Sequence, residues 1–399
     1  MNIIRNPERS TWKQLLARPV MNFEEIEKIV APVLQQVKAQ GDAALKEFTR
    51  KFDKVSLSEI QVTPEEIIHA SKQVSVELKE AIQLAKENIE TFHRGQLQLP
   101  QKVETRTGVV CWRKSVGIEK VGLYIPGGTA PLFSTVLMLG VPARLAGCRE
   151  IVLCTPANQE GLVHPAILYA ADLTGIKKIY KIGGAQAIAA LAYGTETVPQ
   201  VYKIFGPGNQ YVTAAKQLVN KEGIAIDMPA GPSEVAVWAD DSANAAFVAA
   251  DLLSQAEHGK DSQVILVSQS EKLITQVNDE IEKQLAQLPR KDIAAQALAN
   301  SKTFLVNSEQ DAIDLLNAYA AEHLIIAVKD AEKQAEQIIN AGSVFIGNYT
   351  PESAGDYASG TNLPLFAKRN FPSGQYLRPG NHLCNHGYGH HKNSRNCPG

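Results

Sequence analysis

In the run AAEHLIIAV, Glu322 and His323 stand side by side where a helical pattern hands over to an apolar strand pattern. A carboxylate and an imidazole at adjacent positions can divide two proton transfers between them, the imidazole near neutrality because its ordinary pKa is about 6.5. On the residues alone they also suit a solvated loop, since most charged loop residues do no chemistry. A second pair, Gln255 and His258 in LLSQAEHGKDS, is three residues apart near a helix end and therefore on one face, with Gly259 positioned to stop the helix. An amide oxygen and an imidazole nitrogen can share a metal from there; equally, His258 can cap the helix C-terminus through its charge. The sequence contains neither HExxH nor CxxC, so a zinc site has to recruit ligands from afar. Asp356 in PESAGDYASG follows the strand-like GSVFIGN among small residues and reads as either a turn residue or such a ligand.

Three glycine-rich turns, at Gly127 and Gly128, Gly183 and Gly184, and Gly206 to Gly208, each follow a strand pattern. Turns of this kind line the carboxyl edge of a parallel sheet, where bare backbone N–H groups and helix N-termini suit phosphates. None completes G-x-G-x-x-G, so nucleotide binding and plain strand-to-helix connection both stay open.

The elements that must hold these residues follow from periodicity. Ile26, Val30, Val33, Leu34, Val37 and Leu45 fall on a helical stripe, and a second amphipathic run covers Val74 to Phe92, which predicts a helical N-terminal region. From Val121 the pattern becomes short β-branched runs, each followed by Gly or Pro and then a helical stretch, the mark of an α/β fold with parallel sheets. IAIDMPAGPSEVAVWAD reads as a link to a second such unit, in which the strand from Gln263 and the strands in TFLVNS, EHLIIAV and GSVFIGN alternate with helices. The expected fold is thus α/β, with two Rossmann-like but incomplete parallel-sheet domains.

Hydrophobic residues at 44% and charged residues at 21% exclude disordered, collagenous and coiled-coil classes. Forty basic against 42 acidic residues leave a formal net charge of -2, which gives no field for nucleic acid or an anionic membrane and favours a small-molecule partner. The N-terminus lacks the apolar core of a secretory signal, and the apolar run from Ala130 to Gly147 is broken by Pro131, Pro142 and Arg144, so it reads as a buried helix. An odd set of five cysteines without a short-spaced pair fits a reducing cytoplasm.

Seven segments in order, VGLYIPGGTAPLFSTVLML, GGAQAIAALAYGTE, KIFGPGNQYVTAAK, DMPAGPSE, DLLSQAEHGKDSQV, AEHLII and SAGDYASGTN, resemble the histidinol dehydrogenase family, and the resemblance runs to Asn362. It implies oxidation of L-histidinol through the aldehyde to L-histidine with two NAD, the last two steps of histidine biosynthesis, in a cytoplasmic homodimer. Residue by residue it implies Gln255, His258 and Asp356 as ligands of one Zn2+ per subunit and Ser233 in the substrate pocket. Glu322 and His323 become the acid/base residues, Glu322 also binding substrate together with Gln255, His258 and Asp356, and Tyr124, Gln186 and Asn209 the NAD contacts. The implied organisation is an arm over 1–20, a first α/β domain of 21–102 with 235–362 carrying zinc and acid/base residues, and an NAD-binding domain over 103–234.

The departure is abrupt. Residues 363–399 contain no Asp or Glu, five Lys or Arg and four of the nine histidines, with no periodicity, which predicts an irregular, disordered tail. Leu363 stands where the family has a histidine, and the family's helical end, which supplies a further zinc-ligand histidine and a glutamate across the dimer, is replaced. A frameshifted 3′ end produces this pattern and predicts impaired turnover and weakened dimerisation. A metal-dependent hydrolase built on Gln255, His258, Asp356 and Glu322, and a non-catalytic remnant that still binds ligand, are the readings from other classes.

Overall fold

A computed structural model describes residues 1–18, 23–97, 100–127, 131–227, 233–357 and 359–361, with the side chains of Asp356 and Tyr357 excepted. The expectations for Asp356 as a ligand, for Leu363 and for the 363–399 tail fall outside these. The chain forms two compact units.

One unit holds the described residues of 23–227 and 359–361. Its five-stranded parallel sheet has the spatial order Lys178–Lys181, Glu150–Thr155, Lys120–Tyr124, Lys203–Phe205, Ala225–Ile226. Numbered along the chain, that order is 3-2-1-4-5, so the connections reverse direction between Lys120–Tyr124 and Lys203–Phe205. Leu123, Val152, Leu153, Ile179 and Ile204 are fully buried, as strands covered by helices on both faces must be. Phe133–Leu145, drawn from the apolar run noted above, is one of the covering helices and is buried along most of its length.

The helical region joins this unit, which differs from the expected grouping of 21–102 with 235–362. Helix Phe23–Gln40 buries Ile26, Val30, Val33, Leu34 and Val37 against helices Gly184–Tyr193 and Gln210–Lys221. Each such side chain contributes about 1.5–3 kcal/mol on burial, enough for the stripe to hold the helix against these two neighbours. Helices Pro64–Gln73 and Val76–Arg94 pack on Pro165–Leu173 and Phe133–Leu145 in the same way. A hairpin of exposed strands, Lys102–Arg106 and Val109–Trp112, has no counterpart in the expectation.

The other unit holds residues 1–18 and 233–357. Its six-stranded parallel sheet runs Asn2–Arg5, Lys302–Leu305, Gln263–Ser268, Glu234–Ala239, His323–Ala327, Ser343–Ile346. The N-terminal residues are therefore an edge strand of this sheet, not a free arm. EVAVWA, read as part of a link, is an interior strand: Val235, Val237 and Ala239 face one apolar core and Ala236 and Trp238 the other. A strand buried on both faces has no alternation to mark it. Apart from the added edge strand, the order is again 3-2-1-4-5, with the reversal between Glu234–Ala239 and His323–Ala327. Among the described residues no helix is long and apolar enough to cross a membrane.

Candidate active site

In the six-stranded unit the candidate residues collect at the amino edge of the sheet. Ser233 precedes strand Glu234–Ala239, Glu322 precedes strand His323–Ala327, and His323 is its first residue. His323 is buried, and its Nδ1 lies 3.0 Å from the backbone oxygen of Glu234. A carbonyl only accepts, so Nδ1–H donates and Nε2 carries the lone pair. That Nε2 is buried with no hydrogen-bond partner. Burial, with a further contribution from nearby His258, holds the ring's pKa down at about 4 although the bond to Glu234 opposes the shift. His323 is thus a neutral base whose acceptor nitrogen is free.

The same residue's backbone serves its neighbour. The backbone N–H of Glu234 donates to Oε2 of Glu322 at 3.4 Å, so one residue's N–H and C=O hold both candidate acid/base side chains. The Glu234 side chain is in turn fixed by Arg18, which pairs with both carboxylate oxygens and donates from Nη2 to the carbonyls of Tyr319 and Ala320 at 2.8 and 3.1 Å. Arg18 also stacks 4.5 Å from the centroid of the Tyr319 ring. Ala320, at φ +55°, is the left-handed corner between helix Glu309–Tyr319 and Glu322. Arg18 therefore braces the turn that presents Glu322 and the strand that holds His323.

Gln255 and His258 lie at the C-terminal end of helix Ala245–Ala256. Gln255 is buried, and its Oε1 has no partner. The exposed His258 places Nδ1 2.8 Å from the carbonyl oxygen of Ser254. Its two readings are therefore compatible: Nδ1–H caps the helix and Nε2 stays available to a metal, with the ring oriented by the cap. Gly259 does not take the left-handed conformation of a helix-stop glycine, since the helix already ends at Ala256. Among the described residues no three His, Cys, Asp or Glu side chains cluster as metal ligands. Gln255 is an amide and the Asp356 side chain is undescribed, so the expected trio falls outside that description.

In the five-stranded unit a cavity of about 840 Å3 opens at the carboxyl edge, at the point where the strand order reverses. Tyr124, Gln186 and Asn209 all line it. Tyr124 ends its strand; its hydroxyl accepts from the N–H of Gly184 at 3.0 Å, and burial pushes its pKa up to about 12. It keeps its proton and can donate it to a ligand. Gln186 is buried with Nε2 unpartnered. Asn209 Oδ1 caps helix Gln210–Lys221 by accepting from the N–H groups of Tyr211 and Val212 at 3.1 and 3.2 Å.

The glycine turn beside Asn209 is clamped from behind. The Gly206 N–H donates to Asp227 Oδ2 at 2.8 Å, and Lys216 Nζ donates to the Gly206 carbonyl at 2.9 Å. Lys216 and Asp227 themselves form an ion pair at 5% and 1% side-chain exposure, so neither is satisfied by water. At φ +136°, with an added Cβ falling 2.0 Å from the Tyr124 carbonyl oxygen, position 206 admits only glycine.

The family model described as histidinol dehydrogenase matches residues 16–371 of this chain. The chain belongs to the histidinol dehydrogenase family. The histidinol dehydrogenase of Bacteroides thetaiotaomicron is 62% identical over 365 residues, spanning 92% of this chain and 85% of that protein. The Xanthomonas campestris histidinol dehydrogenase is 54% identical over 354 residues, 88% of this chain and 82% of that one. The crystal structure of histidinol dehydrogenase from Elizabethkingia anophelis superposes with a TM-score of 0.89 at 55% identity, over 91% of this chain and 84% of that chain. Histidinol dehydrogenases are oxidoreductases of histidine biosynthesis, and the mixed α/β fold with parallel sheets is theirs. The match to residue 371 passes Leu363 and leaves residues 372–399 outside it.

Several side chains of these sites went unnoticed in the sequence: Arg18 with its partner Glu234, the Lys216–Asp227 pair, and Asp53, which lines the cavity. Arg18 lies 216 residues from its partner Glu234, and nothing in ARPVMN marks it.

Proposed function

We propose that this chain oxidises L-histidinol through L-histidinaldehyde to L-histidine, using NAD, with a zinc ion orienting the substrate. The observation that carries the reading is His323, a buried neutral imidazole whose tautomer is set by the Glu234 carbonyl and whose Nε2 is free. The alcohol loses hydride from its carbinol carbon only as its hydroxyl proton departs, and His323 Nε2 takes that proton. The aldehyde must be hydrated before a second hydride can leave. Glu322 takes the proton of the water that adds to it, and its position against the Glu234 N–H keeps the carboxylate beside His323.

Gln255 and His258 fit a zinc site on their donor chemistry: a buried amide oxygen lacking any partner and an imidazole whose other nitrogen is tied down. With Asp356 they would hold the ion, which when bound supplies a fixed positive point for the substrate's nitrogens. Ser233 would face the same substrate. NAD, when bound at Tyr124, Gln186 and Asn209, supplies the hydride acceptor, and the Tyr124 hydroxyl and Gln186 amide offer it hydrogen-bond donors. The functional form is a homodimer in the cytoplasm.

Leu363 can neither accept a proton nor bind a nitrogen, and a family-type helical end is missing from residues 363–399. Turnover by the chain as written is therefore expected to be very weak. The decisive experiment follows NADH absorbance after adding histidinol to three proteins: this chain, its Leu363→His variant, and a version whose residues 363–399 are replaced by the corresponding end of a relative. Activity is expected only in the third. A third protein that binds histidinol and NAD but forms no NADH overturns the functional reading, and ordinary rates from the first overturn the claim of impairment.

A further inference from the structure

The Asp53 carboxylate sits in the wall of the cavity with no role assigned by the family resemblance. We infer that Asp53 binds the hydroxyls of the adenosine ribose of a dinucleotide and rejects a 2′-phosphate there, which makes it the residue that selects NAD over NADP. The inference rests on the reading of the cavity as the NAD site.

Three observations carry it. Asp53 is the only carboxylate among the described lining residues, no Lys or Arg joins them, and His164, whose Nδ1 accepts from the Ala166 N–H at 3.2 Å, is the one imidazole there, so the cavity offers an extra phosphate one anion and no permanent cation. The pyrophosphate does not need a cation, because the glycine turns present backbone N–H groups at helix N-termini. Second, Asp53 Oδ2 is buried and has no hydrogen-bond partner. The neighbouring cation is turned aside, Lys54 Nζ donating to the Lys51 carbonyl at 2.9 Å. Burial with no compensating charge raises the carboxyl's pKa, as it does for a carboxylate whose partners arrive with a ligand. Third, the surroundings have the right sequence of chemistries. Ile29 and Phe52, 58% and 49% exposed, present apolar surface to the same cavity, which suits a flat base. Asp53 follows Phe52 directly and lies near enough to Tyr124 for its charge to oppose ionisation of that hydroxyl. A carboxylate that shares one cavity with an apolar platform for the base and with the glycine turns can meet the sugar of an adenosine bound there.

The local backbone is built for this placement. Thr49–Asp53 is a single wide π-helical turn closing helix Asp42–Phe48, and Lys54 exits at φ +62°. Such turns insert an extra residue that rotates a side chain off the helical face, and they recur at functional sites.

The test is calorimetric titration of NAD and NADP into the full chain and into Asp53→Asn and Asp53→Ala. The parent is expected to bind NAD at least tenfold tighter than NADP. Both variants are expected to lose about tenfold to hundredfold in NAD affinity, the effect of removing a charge-assisted hydrogen-bond acceptor, and to bring the two dinucleotides within a few-fold of each other. Should either variant fail to fold, NAD lacking the adenosine 2′-hydroxyl, titrated into the unmodified chain, reads the same contact and should bind about tenfold more weakly. A parent that binds NAD while the variants or the deoxy analogue bind equally well overturns this inference alone. A parent that binds neither dinucleotide overturns the reading of the cavity as well.

Discussion

Both units wind five parallel strands in the order 3-2-1-4-5, yet their candidate groups gather at opposite edges. In the five-stranded unit Tyr124, Gln186 and Asn209 follow their strands, at the carboxyl edge; in the six-stranded unit Glu322, His323, Gln255 and His258 stand before theirs, at the amino edge. The difference is one of helix polarity. A helix that follows a parallel strand starts at the carboxyl edge, where its N–H groups and positive end favour anions such as a pyrophosphate. It finishes at the amino edge, where carbonyls and a negative end favour cations. Gln255 and His258 occupy such a finish, on helix Ala245–Ala256, which suits residues expected to hold a metal dication. One topology can thus accept a phosphate at one end and a metal at the other, and the proposed sites use a different end in each unit.

This contrast predicts that damage in one unit should leave the other's ligand untouched. The largest effect is expected from His323→Asn in a protein with a family-type C-terminus, which removes the base at Nε2. Both oxidations should slow by about 10²- to 10⁴-fold with NAD affinity unchanged, and loss of NAD binding would break the separation. Lys216→Met is the reciprocal case. It leaves Asp227 buried without its cation, so stability should fall by about 3–5 kcal/mol in denaturant unfolding. NAD binding should weaken with it as the Gly206 turn loosens, while zinc content stays unchanged.

A pH dependence is also expected from the six-stranded unit. The pKa of His323 is depressed to about 4 in the folded protein, so the unfolded chain binds more protons between that value and about 6.5. Stability should therefore be lost as pH falls through this window, by about 2 kcal/mol between pH 7 and pH 5. His323→Phe should abolish that fraction of the slope, as comparison of denaturant midpoints at the two pH values will show. The smallest effect is expected from Arg18→Met. Freeing Glu234 disturbs the peptide that holds Glu322 and His323, so kcat should drop by about tenfold to a hundredfold with little change in the KM for NAD. Arg18→Lys, which keeps charge but not the forked geometry, should recover only part of it.

The sheet-forming segments were legible wherever a β-branched run ended in Gly or Pro, and the glycine turns were legible because only glycine fits there, as at Gly206. Glu234–Ala239 was not, since a strand buried on both faces carries no alternation, and the polar residues before it, GPSE, resemble a connection. The stripe on helix Phe23–Gln40 announced a buried face but not its counterpart, because any apolar surface of matching shape satisfies it. Glu322 and His323 could be picked out as neighbours, yet their shared anchor on the backbone of Glu234 could not. That depends on the parallel register setting His323 beside Val235. Asp53 was hidden for a different reason, since a lone acid at a helix end has many uses and only the cavity distinguishes them.

The clamp on Gly206 also bears on how this sequence can drift. Lys216 and Asp227 neutralise each other out of contact with water, and each holds one of the two backbone polar groups of Gly206. A lineage that changes either residue first passes through a form with an orphaned interior charge and half a grip on the turn. Changing both together to apolar residues would relieve the charge but release the peptide. The two positions should accordingly be inherited as a unit, and a relative found with one altered should carry a compensating change at the other or at Lys203, the additional cation that acts on Asp227.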